Sequence, residues 1–239
     1  MNTIAFIMFD PMYFLYVGPA ILLAMWAQMK VKSAYATGSR YRASSGISGA
    51  ETAQRILNAY GISDVAIEPV RSFLGDHYDP KKKVLRLSPD VYNGRTLTSV
   101  GIAAHEVGHA IQDATDYSPL VIRNGLVPMA SVGSNISVML IIGGLILAYL
   151  QSQMGQTVAA IGLGLFGVVV LFQIVNLPVE FNASSRARAI LVDQGIVTAQ
   201  EDRVVAKVLS AAAMTYVAAT IVAIMHMLYY ASLVFGRRD

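Results

Sequence analysis

Cysteine is absent from all 239 residues, which excludes disulfide bonds and catalysis by a thiol. Charge is also scarce: Asp, Glu, Lys and Arg make up 14% of the chain, against about 25% in typical soluble domains. The net charge of +3 is spread along the loops without a concentrated basic patch, so a nucleic-acid partner is not expected. The absence of cysteine is compatible with a location on either side of a membrane.

Three long stretches contain no charged residue: 11–29, 124–179 and 208–236. A membrane crossing needs about 20 apolar residues, so the longest stretch has room for two crossings. Any single run could be a helix buried in a large soluble core, but four such runs favour a membrane protein. The sequence therefore predicts a mostly α-helical membrane protein with about four transmembrane helices, at 12–28, 129–150, 158–177 and 212–235.

Basic residues lie in two of the loops that join these predicted helices, within 30–42 and 186–207, whereas the loop 151–156 is uncharged. The positive-inside rule then places both charged loops in the cytoplasm and the N-terminus outside. The pair Arg237-Arg238 would lie outside, against the rule. The N-terminus lacks a basic region before its apolar run, so an uncleaved anchor is expected. These features predict a multi-pass cell-membrane protein.

The most specific pattern is His105-Glu106-Val107-Gly108-His109, two histidines four residues apart. On a helix their side chains lie roughly 40° apart around the axis, so both can bind one tetrahedral Zn²⁺. The intervening glutamate can then act as general base on a water that the metal activates. The alternative, two hydrogen-bonded core histidines on an amphipathic helix, is much less specific. The motif indicates a metalloprotease.

The loop that contains this motif spans about a hundred residues, enough for a small α+β domain. Ser48 and Glu51 mark a helix start, and Gly61 marks its end. Short strands are expected at 65–67 and 84–87, a turn at 75–80, and the motif helix at 96–113. The strand at 84–87 could bind an extended substrate by strand addition.

A catalytic zinc needs a third protein ligand. Asp113 shares a face with the histidines, but it lies about 12 Å along the helix from His105, so a supporting or surface role is expected. Glu180 is the better candidate. However, a glutamate just after Pro178 in a first helical turn is also favoured by the helix dipole, and spacing does not decide between these interpretations.

Other polar residues are candidates for supporting roles. His77, Tyr78 and Arg186 could stabilise the developing oxyanion, although His77 could equally bond local backbone in its turn. His226 lies within an apolar helix, where we expect a hydrogen bond to a neighbouring helix. Small residues in the third predicted span are expected to allow close helix packing, namely Gly162, Gly164 and Gly167.

Four segments of the chain resemble the YugP-type bacterial membrane zinc metallopeptidases: AAHEVGHAIQ at 103–112, DHYDP at 76–80, LS and VY within 87–92, and LPVEFNASSRA at 177–187. The matches run in the family's order from about residue 30 to 230. The resemblance implies a gluzincin-like peptidase with His105, His109 and Glu180 as zinc ligands and Glu106 as the catalytic base. The similar CaaX-processing and HtpX-like proteases have an aspartate four residues after the ligand glutamate.

Here that position holds Ser184, so Asn182 or Arg186 could support the ligand instead. The sequence thus predicts a zinc endopeptidase with one Zn²⁺ per chain and a zincin-like catalytic region facing the cytoplasm. Its partners would be the lipid bilayer and a membrane-associated protein or peptide substrate. A zinc-binding scaffold or regulator without activity is the alternative. Neither the oligomeric state nor the substrate can be read from the sequence.

The predicted organisation has five segments. Residues 1–29 form an N-terminal transmembrane anchor, and 30–128 form the catalytic region with the motif helix. Residues 129–177 form a transmembrane hairpin, 178–211 a cytoplasmic helical segment with the third ligand, and 212–239 a C-terminal transmembrane helix. The two segments that hold the predicted ligands are thus separated by a membrane hairpin in the sequence.

Overall fold

The structure is a computed structural model that describes residues 10–71 and 75–236. Within these residues it contains seven α-helices and a three-stranded sheet. The helices are α1 Pro11–Gly38, α2 Gly49–Ala59, α3 Pro89–Tyr92, α4 Leu97–Ala114, α5 Ser118–Tyr149, α6 Gly155–Asp193 and α7 Ala199–Phe235. The strands are β1 Ala66–Pro69, β2 His77–Asp79 and β3 Val84–Leu87. The predicted fold class, a mostly α-helical membrane protein with a small α+β region, is confirmed.

Among the described residues, helices α1, α5, α6 and α7 are each long and apolar enough to cross a membrane, in agreement with the predicted number of about four. Each is longer than its predicted apolar run. Helix α6, for example, continues past residue 177 to Asp193 through several charged residues. Charged side chains do not break a helix, because the backbone hydrogen bonds continue wherever propensity and packing allow. Hydropathy therefore detects the membrane segment but not the helix end.

The described residues divide into two compact units. The first, which we call the four-helix unit, comprises 10–26, 122–176 and 216–236, parts of the four long helices. The second, which we call the mixed unit, comprises 27–121 and 177–215. These boundaries do not test the predicted division into five segments, which stays a prediction.

Close packing between α5 and α6 in the four-helix unit depends on Gly162. A Cβ built there would lie 2.7 Å from the backbone nitrogen of Ile141 and 2.8 Å from the backbone oxygen of Ser137. The expectation of a packing glycine is confirmed at this position. At Gly164 it is wrong, because no described atom of another helix lies within 4 Å of an added Cβ. Gly167 makes an ordinary contact with Met227 at 3.7 Å.

His226 forms the interhelical hydrogen bond that the sequence predicted. Its Nε2 lies 3.3 Å from the hydroxyl of Tyr13 on α1, and its Nδ1 lies 2.9 Å from the backbone oxygen of Val222 on its own helix. Because a carbonyl can only accept, Nδ1 carries the proton and Nε2 can accept from the tyrosine. Both nitrogens of this intramembrane residue are thus occupied, as the cost of burying polar groups requires.

The mixed unit has one apolar core between α2, the sheet, α4 and the polar ends of α6 and α7. Its largest fully buried side chains are Ile56, Leu57, Leu85, Leu87, Leu97, Ile111, Leu191 and Ile196. The predicted start of α2 is confirmed: the Ser48 hydroxyl accepts from the Glu51 amide, and the Glu51 carboxylate accepts from the Ser48 amide. Gly61 follows the helix with φ +67°, a conformation that glycine adopts without strain.

The sheet has the strand order β1-β3-β2. Strand β3 pairs in parallel with β1 and antiparallel with β2, so it is the central strand. The hypothesis that residues 84–87 bind substrate by strand addition is therefore wrong, because both edges of β3 are already paired. The burial of the strands agrees with the central position of β3. It is the most buried of the three strands, and its Leu85 and Leu87 belong to the core.

Helix α4 carries the histidine motif through the centre of the mixed unit. It begins after Thr96, whose hydroxyl accepts from the Ser99 amide, close to the predicted start. Near its end, the Asp113 carboxylate accepts from the Tyr78 hydroxyl at 2.8 Å and from the Lys83 ammonium at 2.7 Å. Asp113 therefore ties the β2–β3 hairpin to the motif helix, consistent with the expected supporting role.

Candidate metal centre

Three predicted metal ligands converge at one point in the mixed unit. The ligand atoms of His105, His109 and Glu180 all lie within 4.8 Å of one another. The Glu180 Oε2 lies 3.3 Å from Nε2 of His105 and 3.8 Å from Nε2 of His109. The two imidazoles come from α4 and the carboxylate from α6, so packing of these two helices assembles the cluster.

A buried network fixes the orientation of His109. Its Nδ1 lies 3.0 Å from Oε1 of Gln112, one turn later on α4. The Gln112 amide nitrogen donates to the backbone oxygen of Val179 at 2.9 Å and to Oδ1 of Asn182 at 3.0 Å. Because two acceptors occupy the amide nitrogen, the amide oxygen faces the ring, and Nδ1 must carry the proton. The Nε2 lone pair is then directed at Glu180, as a metal ligand requires.

His105 has a simpler support. Its Nδ1 lies 3.1 Å from the hydroxyl of Ser184, which follows Glu180 by one helical turn. The serine can accept a hydrogen bond from Nδ1 and leave Nε2 to face the carboxylate. Ser184 occupies the position at which the similar proteases have an aspartate. A neutral hydroxyl therefore takes the place of a charged supporting group.

The sequence left open which residue would provide such support. Asn182 contributes, because its Oδ1 accepts both from Gln112 and from Nε of Arg186, the latter at 2.7 Å. Asn182 and Arg186 thus belong to the network around His109, whereas Ser184 contacts His105 directly. Sequence reasoning missed Gln112, although its position three residues after His109 places it on the same helix face.

Gly108 permits the close approach of the two helices. A Cβ built at this position would lie 2.8 Å from the backbone oxygen and 3.2 Å from the Cα of Ala183. Contacts of this kind with backbone atoms cannot be relieved by a side-chain rotation. The glycine between the two metal-ligand candidates therefore lets α6 lie directly against α4, with Glu180 and Ser184 on either side of the contact.

Glu106 is buried next to the cluster, and its acidity is strongly altered. Burial raises the pKa of this carboxyl to about 7, and the negative charges of Glu180 and Asp76 also raise it. The charge of His105 and a hydrogen bond from the backbone amide of Tyr78 act in the opposite direction. The Tyr78 amide shows that strand β2 lies beside this carboxyl.

The three candidates for oxyanion stabilisation lie at the edge of the site or have other partners. His77 is at the exposed start of β2, with Nδ1 2.7 Å from the Gly75 oxygen and Nε2 3.4 Å from Arg86. The Tyr78 hydroxyl is bonded to Asp113; burial and this bond raise its pKa. Arg186 bonds Asn182, and its guanidinium carbon lies 5.9 Å from the ring centroid of Tyr117.

The donor set can be tested for its fit to a metal. Two imidazole nitrogens and one carboxylate oxygen suit zinc, whereas calcium and magnesium prefer oxygen ligands alone. Both imidazoles have their remote nitrogen hydrogen-bonded, an arrangement that fixes the ring of a metal-binding histidine. Glu180 is also buried, with 4% of its surface exposed. These residues fit a zinc ion.

Comparison with known proteins agrees with this chemistry. Residues 13–235 match a family described as "Putative neutral zinc metallopeptidase". The chain is 46% identical over 220 residues to "Putative membrane protease YugP" of Bacillus subtilis (strain 168), which covers 92% of this chain and 95% of the relative. No solved structure matches the chain. The predicted family is thereby confirmed: the chain belongs to this family of zinc metallopeptidases.

Proposed function

We propose that the protein is a membrane-embedded endopeptidase that uses one zinc ion per chain to hydrolyse peptide bonds of membrane or membrane-proximal proteins. The convergence of His105, His109 and Glu180 next to Glu106 carries this proposal. Catalytic zinc sites commonly have three protein ligands and leave a fourth position open. A structural site would instead close all four positions with protein side chains.

Glu106 is the proposed general base. It follows the ligand His105 directly on α4, and a pKa of about 7 suits a group that gains and loses a proton near neutral pH. Zinc, when bound, supplies a Lewis acid that polarises the scissile carbonyl and makes water more acidic. The carboxylate of Glu106 would take a proton from the attacking water and deliver it to the leaving amine. The amide of Tyr78 would hold the carboxylate in position.

The outer edge of β2 is the proposed place for an extended substrate. The inner edge of β2 pairs with β3, and no described strand pairs with the outer edge. The Tyr78 amide donates to Glu106, so the unpaired edge faces the proposed base. A peptide added to this edge would gain backbone hydrogen bonds next to the metal ligands. His77 on this strand and Arg186 on α6 remain the proposed stabilisers of the developing oxyanion.

The proposed site faces the cytoplasm. Glu180 directly follows the charge-free stretch 124–179, and basic residues lie in both charged loops. Because the chain has no cysteine, single cysteines can report the topology without background. We expect a membrane-impermeant maleimide to label Ser152→Cys in intact cells and to label Gln54→Cys after lysis alone. The opposite labelling pattern would place the site outside.

The metal is tested by zinc content and hydrolysis in the full-length protein in detergent. We expect about one zinc per chain in the wild type and a clear loss in Glu180→Ala. Removal of the metal with a chelator should abolish hydrolysis of an unstructured protein such as casein, and added zinc should restore it. One zinc in both proteins would exclude Glu180 as a ligand. Zinc without hydrolysis of any tested peptide would favour the scaffold.

A further inference from the structure

The four-helix unit contains a buried acidic side chain that the candidate metal centre does not use. Asp10 immediately precedes α1 and has 5% of its surface exposed. Its Oδ2 accepts from the Tyr229 hydroxyl at 3.0 Å, and its Oδ1 accepts from the Met12 amide at 2.9 Å. A carboxylate has about four acceptor positions, so these two bonds leave capacity for a further donor.

A cavity of about 250 Å³ lies beside this carboxylate. Asp10 and the rings of Tyr13, Tyr229 and Tyr230 line it, together with aliphatic side chains of α5 and α7. The Tyr13 and Tyr229 rings meet edge to face, with centroids 5.2 Å apart, and those of Tyr229 and Tyr230 are 5.8 Å apart. Three aromatic rings and one buried carboxylate therefore surround the same space.

The described part of the four-helix unit supplies no cation to Asp10. Among these described residues the one Lys or Arg is Arg123, which donates a hydrogen bond to Asn124 near the start of α5. The cavity is lined by Ile141 and Ile142, which lie much later on the same helix. Eighteen residues of helix correspond to about 27 Å. His226 is also engaged, because its two ring nitrogens contact Val222 and Tyr13.

We propose that this cavity, the tyrosine cage, binds an ammonium group, with Asp10 as the counter-ion. The faces of aromatic rings attract cations, and a desolvated carboxylate strengthens that attraction. A primary ammonium has three donors, which can reach the free acceptor positions of Asp10. A buried carboxylate is costly unless it is paired, and a bound cation would pair it.

The position of the cage indicates the source of the ammonium group. Asp10 lies at the start of α1, Tyr229 and Tyr230 lie near the end of α7, and Leu145 lies near the end of α5. Helix ends of membrane spans lie near the lipid head groups. The ethanolamine head group of an aminophospholipid is therefore the expected ligand, and a free amine is the other source of the same chemistry.

An aromatic belt does not explain Tyr229. Belt residues face the lipid head groups from the outside of a membrane protein. Tyr229 has 5% of its surface exposed and donates its hydroxyl to the buried Asp10. A belt would also not require a buried carboxylate.

The test uses the full-length, zinc-loaded protein in nanodiscs of phosphatidylglycerol, which has no amine. Short-chain phosphatidylethanolamine is titrated in, and binding is followed by native mass spectrometry and by the thermal midpoint. We expect one bound phosphatidylethanolamine and a higher midpoint, with no such effect of short-chain phosphatidylglycerol. Asp10→Asn should bind at least about tenfold more weakly with unchanged zinc content.

Tyr229→Leu should also lose binding, whereas Tyr229→Phe should keep most of it because the ring remains. Tyr149→Leu, an exposed tyrosine at the end of α5, is the matched control and should bind normally. If free ethanolamine alone raises the midpoint in an Asp10-dependent way, the ligand class stands and its source is a soluble amine. The zinc content of Asp10→Asn shows whether this variant folds. If Asp10→Asn does not fold, Tyr229→Leu tests the cage in its place.

Two results would overturn the proposal. In the first, wild type and Asp10→Asn bind phosphatidylethanolamine equally, or wild type binds none. In the second, Tyr229→Leu binds phosphatidylethanolamine as tightly as wild type does, so that the aromatic ring contributes nothing. Neither result depends on peptidase activity, so the tyrosine cage and the proposed function are tested separately.

Discussion

The two units of this protein bury the same kinds of polar side chain in different arrangements. In the mixed unit, two imidazoles and a carboxylate bring their ligand atoms within 4.8 Å of one another. In the four-helix unit, tyrosine hydroxyls are the partners of His226 and of Asp10. Residue type is therefore not what distinguishes the candidate metal site from the polar cluster of the four-helix unit. The difference lies in whether supporting hydrogen bonds direct the lone pairs to a common point.

The supporting groups explain the difference. Gln112 and Ser184 bind the remote nitrogens of the motif histidines and leave their Nε2 atoms facing Glu180. In His226 both ring nitrogens form hydrogen bonds within the protein. Nδ1 contacts the Val222 oxygen on the same helix, and Nε2 contacts the Tyr13 hydroxyl on α1. A histidine with both nitrogens occupied by the protein has none left for a metal. Substitutions of these polar residues in the mixed unit should therefore impair hydrolysis or zinc binding. The corresponding substitutions in the four-helix unit should leave both unchanged.

The largest effect is expected from Glu106→Gln. Loss of the proposed general base should lower the rate of peptide hydrolysis by about 10²–10⁴-fold, with zinc content unchanged. Asp10→Asn removes a buried carboxylate in the other unit and should leave hydrolysis intact. Both are measured with the same peptide and with zinc determined per chain. Hydrolysis at the wild-type rate in Glu106→Gln would show that another group is the base.

The next largest effect concerns the histidines. His109→Ala should weaken zinc binding by more than the roughly 10–100-fold loss typical of supporting residues, because it removes a ligand. His226→Ala should leave zinc affinity unchanged. Competition with a zinc-binding dye measures both. A similar loss of affinity in the two variants would contradict the distinction between a converging and a dispersed cluster.

A smaller effect is expected from the supporting residues. Gln112→Leu should weaken zinc binding by roughly 10–100-fold, because it releases His109 and leaves the oxygens of Val179 and Asn182 without this donor. Ser184→Ala removes one bond to His105 and should have the smaller effect. Gln54→Leu, an exposed glutamine on α2, is the control. Zinc affinity equal to wild type in Gln112→Leu would show that packing alone orients the ring.

The smallest effect concerns helix packing in the four-helix unit. Gly162→Ala should destabilise the protein by about 1–3 kcal/mol, since the added methyl would meet backbone atoms of α5. Gly164→Ala, two residues away, should be neutral or stabilising by up to about 1 kcal/mol. Thermal midpoints in the same detergent compare the two. A lower midpoint for Gly164→Ala than for Gly162→Ala would contradict the packing described here.

The sequence was sufficient for features that depend on short spacing. The four apolar runs, the helix start at Ser48 and the histidine motif follow from local patterns, and the structure confirms the elements that they predict. Spacing left Glu180 undecided, because its distance from the motif in the chain says nothing about which helices pack. The contact of α4 with α6 at Gly108 brings Glu180 next to the histidines.

Features that depend on pairing between distant segments were not predictable. The hydrophobicity of β3 indicated a strand, but its central place requires the partners β1 and β2. Gln112 has local spacing to His109, but its two other bonds reach α6. The bond between Asp10 and Tyr229 joins residues near opposite ends of the chain. In each case the sequence contains the groups but not the fold that brings them together.

The absence of a side chain at Gly108 has a consequence for which ions the protein can accept. Zinc bonds to nitrogen are about 2.0–2.1 Å long, whereas calcium bonds to oxygen are about 2.3–2.6 Å. The histidines and Glu180 come from different helices, so the distance between the helices would determine the ionic radius that these proposed ligands can enclose. A methyl group at residue 108 would force the helices apart and favour larger ions. In the proposed metal site, selectivity for ion size would thus rest partly on a residue outside the ligand set.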